Sequence, residues 1–328
     1  MSMELRLYSA ADVRRALPMA EAIAAMKAAY AELSAGRVQI PLRTHLAVAE
    51  GDSTLVMPFC APDHGAVGLK LVSVFNSNPA RGLPLIHALV LAVDAATGRP
   101  QALIEGGSLT AIRTGAASGA ATDVLARPDA TTVALFGSGA QARTQLEAVC
   151  TVRPIERVWV YSLGGAEAFA TEMAGRGPIP ARIEIAASPT EALRDADIIC
   201  AASTSRTPVF DGRDLKPGAH VNGVGSFTPE MQEIDAETVR RARVVVDSRE
   251  AALAEAGDLL IPLRQGVVTL DHLSAELGEV IAGLKPGRTS AEEITFFKSV
   301  GVAVQDALAA QRVARNGLAL GLGTVVAL

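Results

Sequence analysis

Apolar and polar positions follow two different periods along this chain, and the change falls near its middle. From Pro18 to Ala35, the residues Ala20, Ile23, Ala24, Met26, Lys27, Tyr30 and Leu33 recur at three- and four-residue spacing, which predicts a helix. Ser9-Ala-Ala-Asp12 is positioned to cap a shorter helix before it, and Gly36 to stop it. Short apolar runs follow at 42–48, 53–59, 66–75, 85–94 and 100–105, divided by Gly, Pro, Asn and Asp clusters. These predict a mostly antiparallel sheet.

After residue 131 the rhythm is strand, turn, helix. Apolar runs at 132–136, 157–162, 181–186, 197–202, 220–225 and 243–247 alternate with helical patterns from about Gln141, at 166–175 and at 189–194. Six short strands with helices between them predict a doubly wound parallel sheet. The stretch 293–310, EITFFKSVGVAVQDALAA, reads as one long helix returning the chain to its first half, and the Gly-rich tail 317–328 as a strand or an interface. The expected fold is α/β: a Rossmann domain at 118–303, inserted in an α+β substrate and dimerisation domain made of 1–117 and 304–328.

The turn after the first of those strands is Gly137-Ser138-Gly139-Ala140-Gln141-Ala142. Gly137 lets the chain reverse. Gly139 offers no side chain between a pyrophosphate and the free N–H groups at the helix N-terminus. Ala142 keeps helix and strand close. A GxGxxA string alone is weak, but the strand–turn–helix context strengthens it. Ligands of such sheets lie beyond the carboxyl ends of the strands, which brings in Ser203-Thr204 and Gly225-Ser-Phe-Thr-Pro229 near the nicotinamide. The second strand ends in Ser162-Leu163-Gly164, where an NAD-specific site carries an acid. A 2′-phosphate is then tolerated, with Ser162 beside it, so NADPH is the expected cofactor and NADH a possible one.

Composition narrows the class. Hydrophobic residues make up 49% of the 328 and charged residues 20%, enough for a large core. The net charge of −5 and the lack of a basic run exclude a nucleic-acid surface. Three scattered cysteines suggest a reducing, cytoplasmic compartment. Met1 to Leu17 lacks the apolar centre of a signal peptide, and no run reaches the length of about 18 residues that a membrane helix needs. The five histidines show no ligand spacing, so no metal is assigned.

Three cations stand out. Arg43 and Lys70 lie in or beside apolar strands, and Arg113 in the small-residue helix SLTAIRTGAASGAA. Singly, each is equally a solvent-facing cation at an edge. Together they can form a pocket for a carboxylate, with arginine giving a bidentate grip.

The strings VGLKLVSVFNSNPARGLP, LVLAVDAATGRPQALIEGGSLTAIRTGAASGAA, LFGSGAQARTQLEAV, VNGVGSFTPEMQEID and FFKSVGVAVQD together resemble the ornithine cyclodeaminase/μ-crystallin family. The resemblance implies a homodimer and an NAD(P) domain between two parts of a substrate domain. It implies that Arg43, Lys70 and Arg113 surround the substrate carboxylate, with Arg113 also near the cofactor. It places Ala140, Gln141, Asn222, Val224 and Ser299 near the dinucleotide. Where cyclodeaminases and related alanine dehydrogenases carry an aspartate, this chain has Phe227, and it has Leu55 at a second acidic place.

The GSFTP form resembles members that reduce cyclic imino acids such as Δ1-pyrroline-2-carboxylate and Δ1-piperideine-2-carboxylate. The expected activity is therefore NAD(P)H-dependent ketimine reduction to proline or pipecolate. Arg43 and Arg113 hold the carboxylate, Phe227 lines the ring, and Lys70 either protonates the imine nitrogen or only binds the carboxylate. Two other readings compete: a cyclodeaminase, with Glu230 or Asp306 replacing the missing acid, and a non-catalytic NADP-dependent binding protein.

Overall fold

The computed structural model describes residues 4–328, and the chain divides into two compact units: 1–113 with 302–328, and 114–301. The first unit opens with strand β1 (Glu4–Tyr8) and the helix Ala10–Ala16, which Ser9 and Asp12 close reciprocally as a capping box. The helix Met19–Ser34 buries Ile23, Met26 and Tyr30, and Gly36 follows it at φ +68°. Four antiparallel strands come next, β2 (Thr44–Ala49), β3 (Asp52–Ala61), β4 (Ala66–Phe75) and β5 (Ile86–Asp94), then β6 (Pro100–Glu105).

The second unit is a parallel sheet: β7 (Thr132–Phe136), β8 (Arg157–Tyr161), β9 (Glu184–Ile185), β10 (Ile198–Ala201), β11 (His220–Gly223), β12 (Ala242–Val246), β13 (Leu273–Glu276) and β14 (Ile294–Lys298). Its order is β13-β12-β14-β11-β10-β7-β8-β9, with every neighbouring pair parallel. The chain runs outward from β7 through β8 to β9, then returns to β10 on the other side of β7. The topological switch point therefore lies between β7 and β10, where such sheets bind ligands. One face is filled by Leu135, Leu146, Val158, Phe169 and Ile198, all buried.

One expectation fails here. The stretch 293–310 is not a single helix. Ile294–Lys298 is strand β14, inside the sheet between β11 and β12, and the helix begins only at Ala303 and runs to Ala319. A strand buried on both faces shows no alternation, so its apolar run resembles a buried helix. The sheet therefore has eight strands where six were expected, and the third of those is only the two residues of β9. In the first unit, β15 (Thr324–Ala327) pairs antiparallel with β1, giving the order β15-β1-β6-β5-β4-β3-β2. The tail is thus a strand, and β1 was not foreseen.

Candidate functional site

In the first unit the three cations converge. Lys70 stands in mid-strand on β4, opposite Met57 of β3 and Val90 of β5, on the face against which the helix Ala303–Ala319 packs. Its side chain is almost wholly buried, as is that of Arg113. Both meet Asp306, in the first turn of that helix. The Lys70 Nζ lies 2.7 Å from one carboxylate oxygen, and Arg113 Nε donates to the other at 3.1 Å. Arg113 Nη1 also donates to Gln305 Oε1, while Gln305 Nε2 donates to the buried Tyr30 hydroxyl. Arg43 is half-buried ahead of β2, close enough for its charge to act on Lys70.

Two buried cations thus share one carboxylate, with a third cation nearby. Burial pushes the Lys70 ammonium down; the Asp306 charge opposes this, the Arg113 and Arg43 charges add to it, and the result is about 8. Burial would raise Asp306, but Lys70 and Arg113 outweigh it and hold the carboxyl below its ordinary range. A cluster with this surplus of positive charge, largely removed from water, is receptive to an anion. Of its members, Asp306 was anticipated only as a substitute acid, and Gln305 not at all. The signal available was a lone acid in the apolar stretch VAVQDALAA. Glu230, the other substitute, is exposed.

The second unit holds the glycine turn. Gly137 has φ +111°, and a Cβ there would lie 2.6 Å from the Ala202 carbonyl, so the turn after β7 and the end of β10 approach as only glycine permits. Gly139 precedes the helix Ala140–Val152, and a Cβ built on it meets nothing within 4 Å. Arg143 Nη1 donates to the Ser138 and Gly139 carbonyls at 2.8 and 2.9 Å and so fixes the turn through its carbonyl side. Gln141 Oε1 is buried with no hydrogen-bond partner. Open space at Gly139 and the free N–H groups of a helix N-terminus fit a dinucleotide's pyrophosphate.

Ser162 follows β8. Its hydroxyl and that of Ser138 lie 3.1 Å apart, and each donates to the Gly164 carbonyl at 2.8 Å. Ser203 and the exposed Thr204 follow β10, while the buried Val224 and the half-buried Phe227 follow β11. Asn222 and Ser299 have side chains committed internally. Asn222 bonds Thr122 and His220, and Ser299 donates to Asp247 Oδ2, which also accepts the N–H groups of Val300 and Gly301.

A doubly wound parallel sheet with this cradle, and a separate unit with a buried anion-receptive cluster, define a dinucleotide-dependent protein of small acidic substrates. The chain belongs to the ornithine cyclodeaminase/mu-crystallin family, whose pattern matches residues 3–319. It is 43% identical over 319 residues to a delta(1)-pyrroline-2-carboxylate reductase of Bacillus cereus, covering 97% of this chain and 98% of that one. The structure of the Thermococcus litoralis enzyme of that name, in complex with NADH and L-proline, is similar at TM-score 0.93 and 42% identity, covering 97% and 99%. An archaeal alanine dehydrogenase dimer with bound NAD is similar at TM-score 0.92 and 34% identity, covering 99% of each chain.

Proposed function

We propose that this protein is an NAD(P)H-dependent reductase of cyclic imino acids, taking Δ1-pyrroline-2-carboxylate, Δ1-piperideine-2-carboxylate or both to proline or pipecolate. The observation that carries the reading is the Lys70–Asp306–Arg113 cluster, in which two buried cations share one carboxylate. A substrate carboxylate would supply the missing negative charge, held by Arg113 and Arg43. When bound, the nicotinamide supplies the hydride to the imine carbon. Lys70, lowered to about 8, is poised to give a proton to the imine nitrogen. Asp306 holds the lysine in place, and Gln305 and Tyr30 hold Arg113.

The cyclodeaminase reading is weaker on the same geometry. It needs a carboxylate that can take a proton from an amine. Asp306 is locked between two cations and held below the ordinary carboxylate range, so it is a poor base. Incubation with Δ1-pyrroline-2-carboxylate and reduced cofactor should yield proline, and incubation with L-ornithine should release no ammonia. Ornithine turnover at enzyme-like rates without imine reduction would reverse the assignment.

NADPH preference is the finer proposal. The support for it is the absence of an acid after β8; the Ser138 and Ser162 hydroxyls already donate to Gly164, so they provide no dedicated phosphate clamp. We expect kcat/KM to favour NADPH modestly, and Ser162→Asp to shift preference to NADH. A wild-type ratio favouring NADH would overturn it.

The homodimer is also proposed. The outer face of the first unit's sheet is apolar: Val56, Leu71 and Leu89 stand side by side across β3, β4 and β5, and Leu46 of β2 joins them. Leu46, Leu71 and Leu89 are 50%, 40% and 45% exposed, more apolar surface than a lone soluble unit usually shows in one place. A second copy would cover it. Leu71→Glu should give monomers by light scattering. The three cysteines are free thiols, which suits a cytoplasmic location, and no described helix is long and apolar enough to cross a membrane.

A further inference from the structure

The second unit contains a charged cluster that the proposed reaction does not use. Glu233, Asp258 and Lys298 are all fully buried. The Lys298 ammonium lies 2.7 Å from Asp258 Oδ2 and donates to the Ser226 carbonyl at 2.6 Å. Asp258 Oδ1 accepts the N–H groups of Glu233 and Ile234 at 2.7 and 3.0 Å. Glu233 Oε1 accepts the N–H of Ser203 at 2.6 Å, and its Oε2 has no hydrogen-bond partner. That second oxygen faces Gly225, where a Cβ would lie 2.2 Å from it and 2.1 Å from the Ser203 carbonyl.

These contacts all converge on two loops. Ser203 begins the loop after β10, and Gly225-Ser226 begins the loop after β11. Burying three ionic groups is costly, and the cost is offset here by hydrogen bonds to the Ser203, Glu233 and Ile234 N–H groups and the Ser226 carbonyl. What the cluster accomplishes is a fixed spacing between those two loops. Both lie at the carboxyl ends of their strands, on the β10 side of the switch point. The glycine cradle lies on the β7 side, toward β8. A dinucleotide whose pyrophosphate rests in the cradle, with its adenosine toward β8, directs its nicotinamide to the β10–β11 loops.

We propose that Glu233 is a positioning residue for the nicotinamide end of the dinucleotide: it ties the Ser203 N–H to the Ser226 carbonyl through Asp258 and Lys298, and so fixes the two loops against which the ring would lie. The proposal rests on reading this unit as the dinucleotide-binding one. Glu233 touches no reacting atom in this scheme and acts through the two loops. The charged groups facing it are Asp258 and Lys298. Burial, then the Asp258 charge, raises its carboxyl to about 7, against the Ser203 hydrogen bond and the Lys298 charge. The grip on Ser203 therefore strengthens as Glu233 ionises through neutrality, since a carboxylate accepts more strongly than a neutral acid.

The test compares two ligands by calorimetry on the full chain. NADH carries the nicotinamide; ADP-ribose shares the adenosine and pyrophosphate but lacks it. In the wild type, NADH should bind several-fold more tightly at pH 8 than at pH 6, while ADP-ribose affinity stays level. Glu233→Gln, which mimics the protonated acid, should bind NADH with the pH 6 affinity throughout and ADP-ribose as the wild type does. Equal losses for both ligands, or a wild-type NADH affinity with no pH dependence, would overturn the proposal and leave the cluster a purely structural one. The wild-type pair of titrations decides the matter even if the variant fails to fold. A wild type that binds neither ligand would instead overturn the dinucleotide reading itself, and this proposal with it.

Discussion

The two units each bury a charged cluster, and the clusters are of opposite imbalance. In the first, Lys70 and Arg113 share one carboxylate, Asp306, and the lysine is driven down to about 8. In the second, Glu233 and Asp258 share one lysine, Lys298, and the glutamate is driven up to about 7. A buried ion pair that balances is weak evidence of function, because it often only breaks even against an apolar replacement. A buried cluster that does not balance is more informative. The surplus cation calls for an anionic ligand, and the surplus carboxylate calls for a proton. The first arrangement suits recognition of a substrate; the second suits a pH-sensitive brace.

The sharpest way to break the comparison is to remove the lysine of the first cluster. Lys70→Met should lower kcat for imine reduction by about 10²–10⁴-fold, the usual worth of a positioned proton donor, and leave NADH binding intact. In the wild type, kcat/KM should fall as pH rises through about 8, because the protonated lysine is the active form. A Lys70→Met enzyme working at near-wild-type rate would reduce the lysine to a carboxylate ligand.

Removing the shared carboxylate tests the balance itself. Asp306→Asn leaves Lys70 and Arg113 buried without a counter-charge and should cost about 3–5 kcal/mol in denaturant unfolding. It should also move the alkaline limb below pH 8, since the largest influence raising the Lys70 pKa is the Asp306 charge. Arg43→Met should be milder. It should raise the KM for the imino acid by an amount equivalent to about 2–5 kcal/mol of lost carboxylate binding, while unfolding stays as in the wild type. Unchanged KM would make Arg43 a surface cation.

How much of this was legible in the chain follows from where each signal lies. The glycine turn was readable because its strand, its turn residues and its helix are adjacent in sequence. So were the three cations, each an exception in an apolar setting. Strand β14 was not, because all five of its residues are buried and periodicity cannot separate a doubly covered strand from a helix. Asp306 was visible as an acid in an apolar helix, but its partners lie on β4 and a distant helix. Glu233 and Asp258 stand 25 residues apart, and Asp258 directly precedes the apolar run LLIPL. Lys298 is also a cation in an apolar run, ITFFKSVGV, but that run reads as a helix in the sequence, and only the fold brings the three together.

The smallest expected effect concerns stability rather than rate, and it separates the two clusters by sign. Glu233 has an ordinary value of 4.5 and a folded value of about 7. An acid raised on folding contributes stability that is complete below the unfolded value and is lost as pH rises through the folded one. Lys70, lowered from 10.5 to about 8, works the other way: its penalty is relieved as pH climbs from about 8 to 10.5. The whole rise of the Glu233 pKa would be worth roughly 3 kcal/mol, each tenfold change in proton affinity counting for about 1.4 kcal/mol. The Ser203 hydrogen bond and the Lys298 charge oppose that rise, and the observable change is about 1–3 kcal/mol. Urea unfolding of wild type and Glu233→Gln across pH 4.5 to 8 measures it, because the other titrating groups cancel in the difference. The wild type should lose stability relative to the variant over that range, with the change centred in the window between the two pKa values. A difference that stays level with pH would show that Glu233 keeps one charge state throughout, and the second cluster would then be an ordinary buried ion network with no proton to give or take.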